Sequence, residues 1–133
     1  MSDSGQPNVI IQIAPRTQIT DIASEMLRHA GFSIVDAQTI DDACDRLRSR
    51  GTELLVLNGP RDAVVSGLDR IATLPPDHRP VRIAILSDDE CDDNALARKV
   101  PGTKVHLFVA PLQAFGLLNV VRRLRRQATE VSN

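Results

Sequence analysis

The stretch ELLVLNGP, Glu53 to Pro60, runs four aliphatic residues straight into an asparagine, a glycine and a proline. An unbroken apolar run of this length reads as a buried strand, and Asn-Gly-Pro marks an abrupt end to it. In α/β proteins the working residues sit at such strand ends. Asn58 is therefore the first candidate for a functional side chain.

Working outward, short apolar runs alternate with amphipathic segments, and the alternation fixes the class as α/β. NVIIQIA (8–14), FSIVDA (32–37), VRIAILS (81–87) and KVHLFVA (104–110) are strands of the same kind. Between the first two, Ile19, Ile22, Ala23, Met26, Leu27 and Ala30 recur at helical spacing, with Thr17 as N-cap and Gly31 as the stop. Thr39 and Asp42 open a second helix, whose Ile40, Ala43, Cys44 and Leu47 share a face. A third helix carries Val64, Val65, Leu68, Ile71 and Ala72 and is broken at Pro75-Pro76. A short fourth helix spans about Asn94 to Lys99, and a last one runs from Leu112 to about Ala128.

Five strand-helix units with right-handed crossovers predict a parallel sheet with helices on both faces. The carboxyl edge of that sheet would collect Ala14, Pro15 and Arg16, then Asn58 and Gly59, Ser87 and Asp88, and Ala110 and Pro111. The 133 residues are expected to form one domain, with 1–7 and 129–133 as flexible ends.

Composition narrows the partners. Sixteen basic and seventeen acidic side chains give a net charge of −1, so no global field draws the chain to nucleic acid. Three Phe and no Tyr or Trp leave no stacking platform for single strands. Two distant cysteines, Cys44 and Cys91, suit a reducing compartment. The polar start MSDSGQPN and the lack of any apolar run near ~18 residues point to a cytoplasmic protein without a membrane span.

The chain resembles the receiver domain of two-component response regulators, a flavodoxin-like (βα)5 fold with strand order 2-1-3-4-5. Fifteen residues separate Ala14-Pro15 from Gly31-Phe32, as they separate the family's acidic pair from its Gly-aromatic step. Asn58 stands where the family has its phosphoacceptor aspartate, Ser87 where it has Thr or Ser, and Ala110-Pro111 where it has Lys-Pro. Only Ser87 and Pro111 match. Ala14 and Pro15 offer no carboxylate to magnesium, Asn58 offers no anionic nucleophile, and Ala110 carries no charge for a phosphoryl group. Leu107 takes the position of the switch aromatic, and Gly67 follows a one-residue insertion. The resemblance implies a degenerate pseudo-receiver, a phosphorylation-independent interaction or dimerisation module.

Other residues carry two readings each. Asn58-Gly59 is a structural turn, or Asn58 makes a polar contact in the emptied pocket. Arg16 and Arg61 fill the space left by magnesium and lysine, or are solvated or bind the phosphate of a nucleotide. The acidic run from Asp88 to Asp93 caps the fourth helix, and its spacing does not match an EF-hand. Arg122, Arg123, Arg125 and Arg126 suit the carboxyl end of the last helix or form an interaction face. His29, His78 and His106 share no metal-ligand spacing.

The expected function is a non-enzymatic adaptor in bacterial signalling, without cofactor or metal. Its partner is a kinase, a regulator, an output domain or a second copy, met through the fourth helix, fifth strand and fifth helix. The alternative is a sensor of cyclic di-GMP held by the arginines of the last helix. A flavin protein is disfavoured, since APRTQIT (14–20) lacks a hydroxyl-rich phosphate loop.

Overall fold

The computed structural model describes residues 9–13, 17–49, 51–87, 92–109 and 113–131. Five strands alternate with five helices: β1 (Val9–Ile13), α1 (Gln18–His29), β2 (Ser33–Ala37), α2 (Ile40–Ser49), β3 (Leu54–Asn58), α3 (Arg61–Ala72), β4 (Arg82–Ser87), α4 (Asp93–Lys99), β5 (Lys104–Val109) and α5 (Gln113–Val131). The sheet is wholly parallel, in the order β2-β1-β3-β4-β5. The class, the strand order and the sequence of five strands and five helices agree with the sequence reading.

Local chemistry explains the helix starts. Thr17 and Thr20 form a reciprocal box: Thr20 N donates to Thr17 Oγ1 (3.2 Å) and Thr17 N to Thr20 Oγ1 (2.8 Å). Thr39 Oγ1 accepts from Asp42 N, and Asp42 Oδ2 accepts from Gln38 N, each at 3.1 Å. Asp92 Oδ1 accepts from Asn94 N and Ala95 N, so this member of the acidic run caps α4. α5 continues to Val131, past the end expected near Ala128, because neither Gly nor Pro interrupts that stretch.

Strand alternation divides the core into two layers. On one face Ile11, Leu55, Leu57, Ile83 and Ile85 pack against α2, α3 and α4 through Ala43, Leu47, Val64, Leu68, Ile71 and Leu96. On the other Ile10, Leu54, Val56, Ala84 and Leu86 meet α1 and α5 through Ala23, Leu27, Leu117, Val121 and Leu124. Each large aliphatic side chain so buried contributes roughly 1.5–3 kcal/mol.

The sequence reading did not include two features of the β4 approach. Pro76–His78 forms one turn of 3-10 helix. Next to it, Arg79 donates to the carbonyls of Ala72 (3.0 Å), Leu74 (3.1 Å) and Pro101 (3.2 Å). One guanidinium thus closes the end of α3 and ties it to the turn before β5. Among the described residues, no helix is long and apolar enough to cross a membrane.

Candidate functional site

The carboxyl edge of the sheet is assembled by register. Asn58, the last residue of β3, pairs with Leu86, so it lies beside Ser87 at the end of β4. Ser87 pairs with Val109 at the end of β5. The structure therefore brings together the two described members of the expected pocket. Ala14, Pro15, Arg16, Ala110 and Pro111 lie outside the described residues, as do Asp88, Asp89, Glu90 and Cys91.

The two residues of the Asn-Gly turn have different backbones. Gly59 has φ +143°, a region that side chains disfavour, and its N–H donates to Leu86 O at 3.1 Å. Asn58 has no positive φ and stays in the strand. In the Asn-Gly turn the unusual backbone angle therefore falls on Gly59 alone. What Asn58 contributes is its half-buried side-chain amide.

Ser87 is buried, and its carbonyl oxygen accepts from Gln113 Nε2 at 3.0 Å. Gln113 opens α5, so this bond fastens the helix to the end of a strand one position in from the sheet edge. The sequence reading missed Gln113, because nothing local links it to Ser87, 26 positions away.

At these two strand ends the donor set is an amide and a hydroxyl, with no carboxylate. Ala14 and Pro15 add none in the sequence, and the set does not fit a magnesium ion held as a receiver holds it. An amide is also no nucleophile for a phosphoryl group. Arg61 is the first residue of α3 and is exposed. Gly67 is buried inside α3, where an added Cβ would meet Ile40 and Leu57 at ordinary contact distance.

Leu107 is half-buried on the α2, α3 and α4 side of β5. Its neighbours His106 and Phe108 belong to the opposite side by alternation, their rings parallel within 3° and 6.3 Å apart. The aromatic rings of β5 thus lie on the α5 side. Phe108 fits there because residue 116 is glycine: a Cβ on Gly116 would lie 2.0 Å from the Phe108 ring.

Charge gathers on this side of the sheet. Arg82 Nη1 donates to Glu53 Oε2 at 2.7 Å, with both side chains largely buried. Burial pushes the Glu53 carboxyl above its ordinary 4.5, and the Arg82 charge pulls partly against it. Burial holds His106 below its ordinary 6.5, and Arg82, Lys104 and Arg123 push it the same way. Arg122, Arg123, Arg125 and Arg126 are all exposed on α5, while Val121 and Leu124 are buried in the core and Leu118 is half-buried. His29, His78 and His106 lie apart in α1, the 3-10 turn and β5, and Cys44 is a buried thiol pushed above its ordinary 9.0 chiefly by burial.

No family model matches the chain, and no curated protein matches it. Solved structures do. The signal receiver domain of a putative Luxo repressor protein from Vibrio parahaemolyticus superimposes with TM-score 0.64 at 18% identity, over 96% of each chain. A CheY-like response regulator receiver domain from Methanospirillum hungatei gives 0.63 at 14% identity, over 94% of this chain and 98% of that one. The constitutive lysine decarboxylase of E. coli also gives 0.63, at 13% identity, over 95% of this chain but 18% of its own. The fold is that of response-regulator receivers. A stretch of a decarboxylase shares it equally well, so function must be argued from the residues.

Proposed function

We propose that this chain is a receiver-fold module that works without phosphorylation, as an interaction or dimerisation element of bacterial signal transduction in the cytoplasm. The observation that carries the reading is Asn58 at the carboxyl end of β3, beside the end of β4. By the resemblance, receivers hold their phosphoacceptor aspartate at that strand end. An amide there cannot form the aspartyl phosphate, and Ala14, Pro15 and Ala110 in the sequence agree with the loss.

The proposed contact surface is α4, β5 and α5, including Leu107 and the arginines of the last helix, and it meets a kinase, a regulator, an output domain or a second copy. Leu107 has no ring with which to couple an emptied pocket to this surface. Incubation with labelled acetyl phosphate, and titration with beryllofluoride and magnesium, test the reading. Neither is expected to bind, and uptake of either overturns it.

One observation favours a second reading. From Gln113 to Gln127 the last helix has no acidic residue, while Arg122, Arg123, Arg125 and Arg126 are exposed. Guanidinium groups in such numbers suit the phosphates and guanine edges of cyclic di-GMP. Calorimetry comparing the wild type with Arg122→Ala/Arg126→Ala decides it, and no heat in the wild type ends the idea.

A further inference from the structure

β5 is the last strand of the sheet, so one of its two edges has no neighbouring strand. Lys104 is exposed, and all five residues after it are half-buried, unlike the fully buried β1. Among the described residues, the hydrogen bonds that reach the β5 backbone come from the β4 side, including Lys104 N to Val81 O at 3.2 Å. Among the described residues no strand pairs with the outer rail of amides and carbonyls of β5, the kind of edge that strand addition uses.

The side chains along this rail have one sign. Lys104 and His106 alternate onto the α5 face, Arg82 is the register partner of Lys104, and the exposed Arg123 of α5 lies near enough for its charge to act on His106. The carboxylate among them, Glu53, is already held by Arg82. His106 Nε2 is buried without a hydrogen-bond partner.

We propose that the open edge of β5 and the adjoining flank of α5 accept an extended acidic segment of a partner protein, which joins the sheet as a further strand and sets its carboxylates against Lys104, His106 and Arg123. Backbone pairing selects a peptide over a nucleic acid or free phosphate, because only a peptide matches a rail of amides and carbonyls. Charge selects an acidic one. A lysine on an edge strand ordinarily guards against unwanted pairing, since a neutral strand would have to desolvate its charge and a second copy would meet like charge. Two copies meeting edge to edge would bring the same positive clusters together.

Docking of carboxylates also favours the protonated form of His106, so peptide binding and proton uptake are linked and each strengthens the other. The charges that act on His106 are Arg82 from β4, Lys104 from its own strand and Arg123 from α5, with Glu53 paired to Arg82. The inference rests on the proposed function only in taking the partner to be a protein. It does not depend on the loss of phosphorylation.

The test uses a labelled eight-residue peptide alternating glutamate and threonine, measured by fluorescence anisotropy at low salt. Binding is expected to tighten several-fold from about pH 7.5 to about pH 5.5, where one unit of pKa displacement is worth about tenfold. It should weaken with added salt and be absent for a lysine-threonine peptide. Lys104→Gln/Arg123→Gln should lose most of the affinity, and His106→Gln should bind without the pH dependence. Equal binding by the peptide N-methylated at alternate residues overturns strand addition, and no binding of the unmodified peptide at about pH 5.5 overturns the whole proposal. Phosphoryl uptake does not enter this readout, so the two readings fail separately.

Discussion

The ring of Phe108 fills the space that a side chain at position 116 would occupy. A Cβ on Gly116 would stand 2.0 Å from Phe108 Cδ1 and 2.8 Å from Cγ, too near the root of the ring for a small rotation to relieve. Replacing glycine by alanine inside a helix normally gains up to about 1 kcal/mol. Here overpacking, at about 1–3 kcal/mol, outweighs that gain. Gly116→Ala is expected to lower stability in urea denaturation. In a Phe108→Leu background the sign should reverse, and a double-mutant cycle without coupling would refute the contact.

Glu53 and Arg82 are joined twice, by the side-chain pair at 2.7 Å and by Arg82 N to Glu53 O at 3.0 Å. Both side chains are mostly buried, at 12% and 16% exposure, so neither charge can turn to water if its partner is removed. Arg82→Met should cost about 3–5 kcal/mol. Glu53→Gln/Arg82→Met should cost less than Arg82→Met alone, because no orphaned carboxylate remains. In Arg82→Met the folded Glu53 carboxyl lies above its unfolded value. The deficit is therefore present at neutral pH and shrinks as pH falls and Glu53 protonates. A deficit that grows in acid would contradict this account.

His106 titrates with the opposite consequence. Its folded value is held below 6.5 by burial first and by Arg82, Lys104 and Arg123 after it. As pH falls through 6.5 the unfolded chain takes up the proton before the folded one does. Stability is thus fully present above 6.5 and is lost from there down to the folded value. Denaturation at about pH 7.5 and about pH 5.5 should show a larger loss for the wild type than for His106→Gln. An NMR midpoint for His106 at or above 6.5 would end the argument.

Much of this architecture was legible because it is local. The Thr17 and Thr39 starts, the aliphatic strands and the Gly31 stop are written within a few residues of where they act. Register across the sheet is not local. Glu53 and Arg82 lie 29 positions apart, and each looks in sequence like a charge at the mouth of an apolar run. The Phe108 and Gly116 contact was hidden for the same reason, although a glycine inside a long helical segment was its one available sign. At the site, Asn58 and Ser87 were found by following strand ends. Gln113 was not, since its bond to Ser87 depends on how α5 lands.

Gln12 was also missed, because a strand buried on both faces has no alternation to expose a polar residue within it. Its side chain lies on the α1 side of β1, where Nε2 donates to Ser24 Oγ, and that hydroxyl donates onward to Thr20 O at 2.7 Å. Gln12 Oε1 is buried with no partner, beside a void of only about 10 Å³. Gln12→Met keeps the length of the side chain and removes the unsatisfied oxygen, while Ser24 retains its bond to Thr20. It is expected to be neutral or stabilising, by up to about 1 kcal/mol. Gln12→Ala should destabilise by about 2 kcal/mol or more, as other large-to-small core changes do. Equal losses in both variants would mean that the amide oxygen is satisfied after all.

Asn58→Asp is the decisive substitution for the proposed function. It places one carboxylate at the end of β3, beside Ser87, without touching the backbone, because Gly59 alone carries the unusual angle of the turn. One carboxylate is not a receiver's pocket. By the resemblance a receiver also needs acids where the sequence has Ala14 and Pro15 and a lysine where it has Ala110, and none of these three carries a charge. Magnesium binds through one or two carboxylates together with the phosphoryl oxygens, and a lone one beside uncharged neighbours leaves the transferred group without charge compensation. Asn58→Asp is therefore expected to incorporate no label from acetyl phosphate and to show no magnesium-dependent response to beryllofluoride. Incorporation by this single variant would mean that the missing charge comes from elsewhere on the carboxyl edge, and that the pocket had been assigned to the wrong residues.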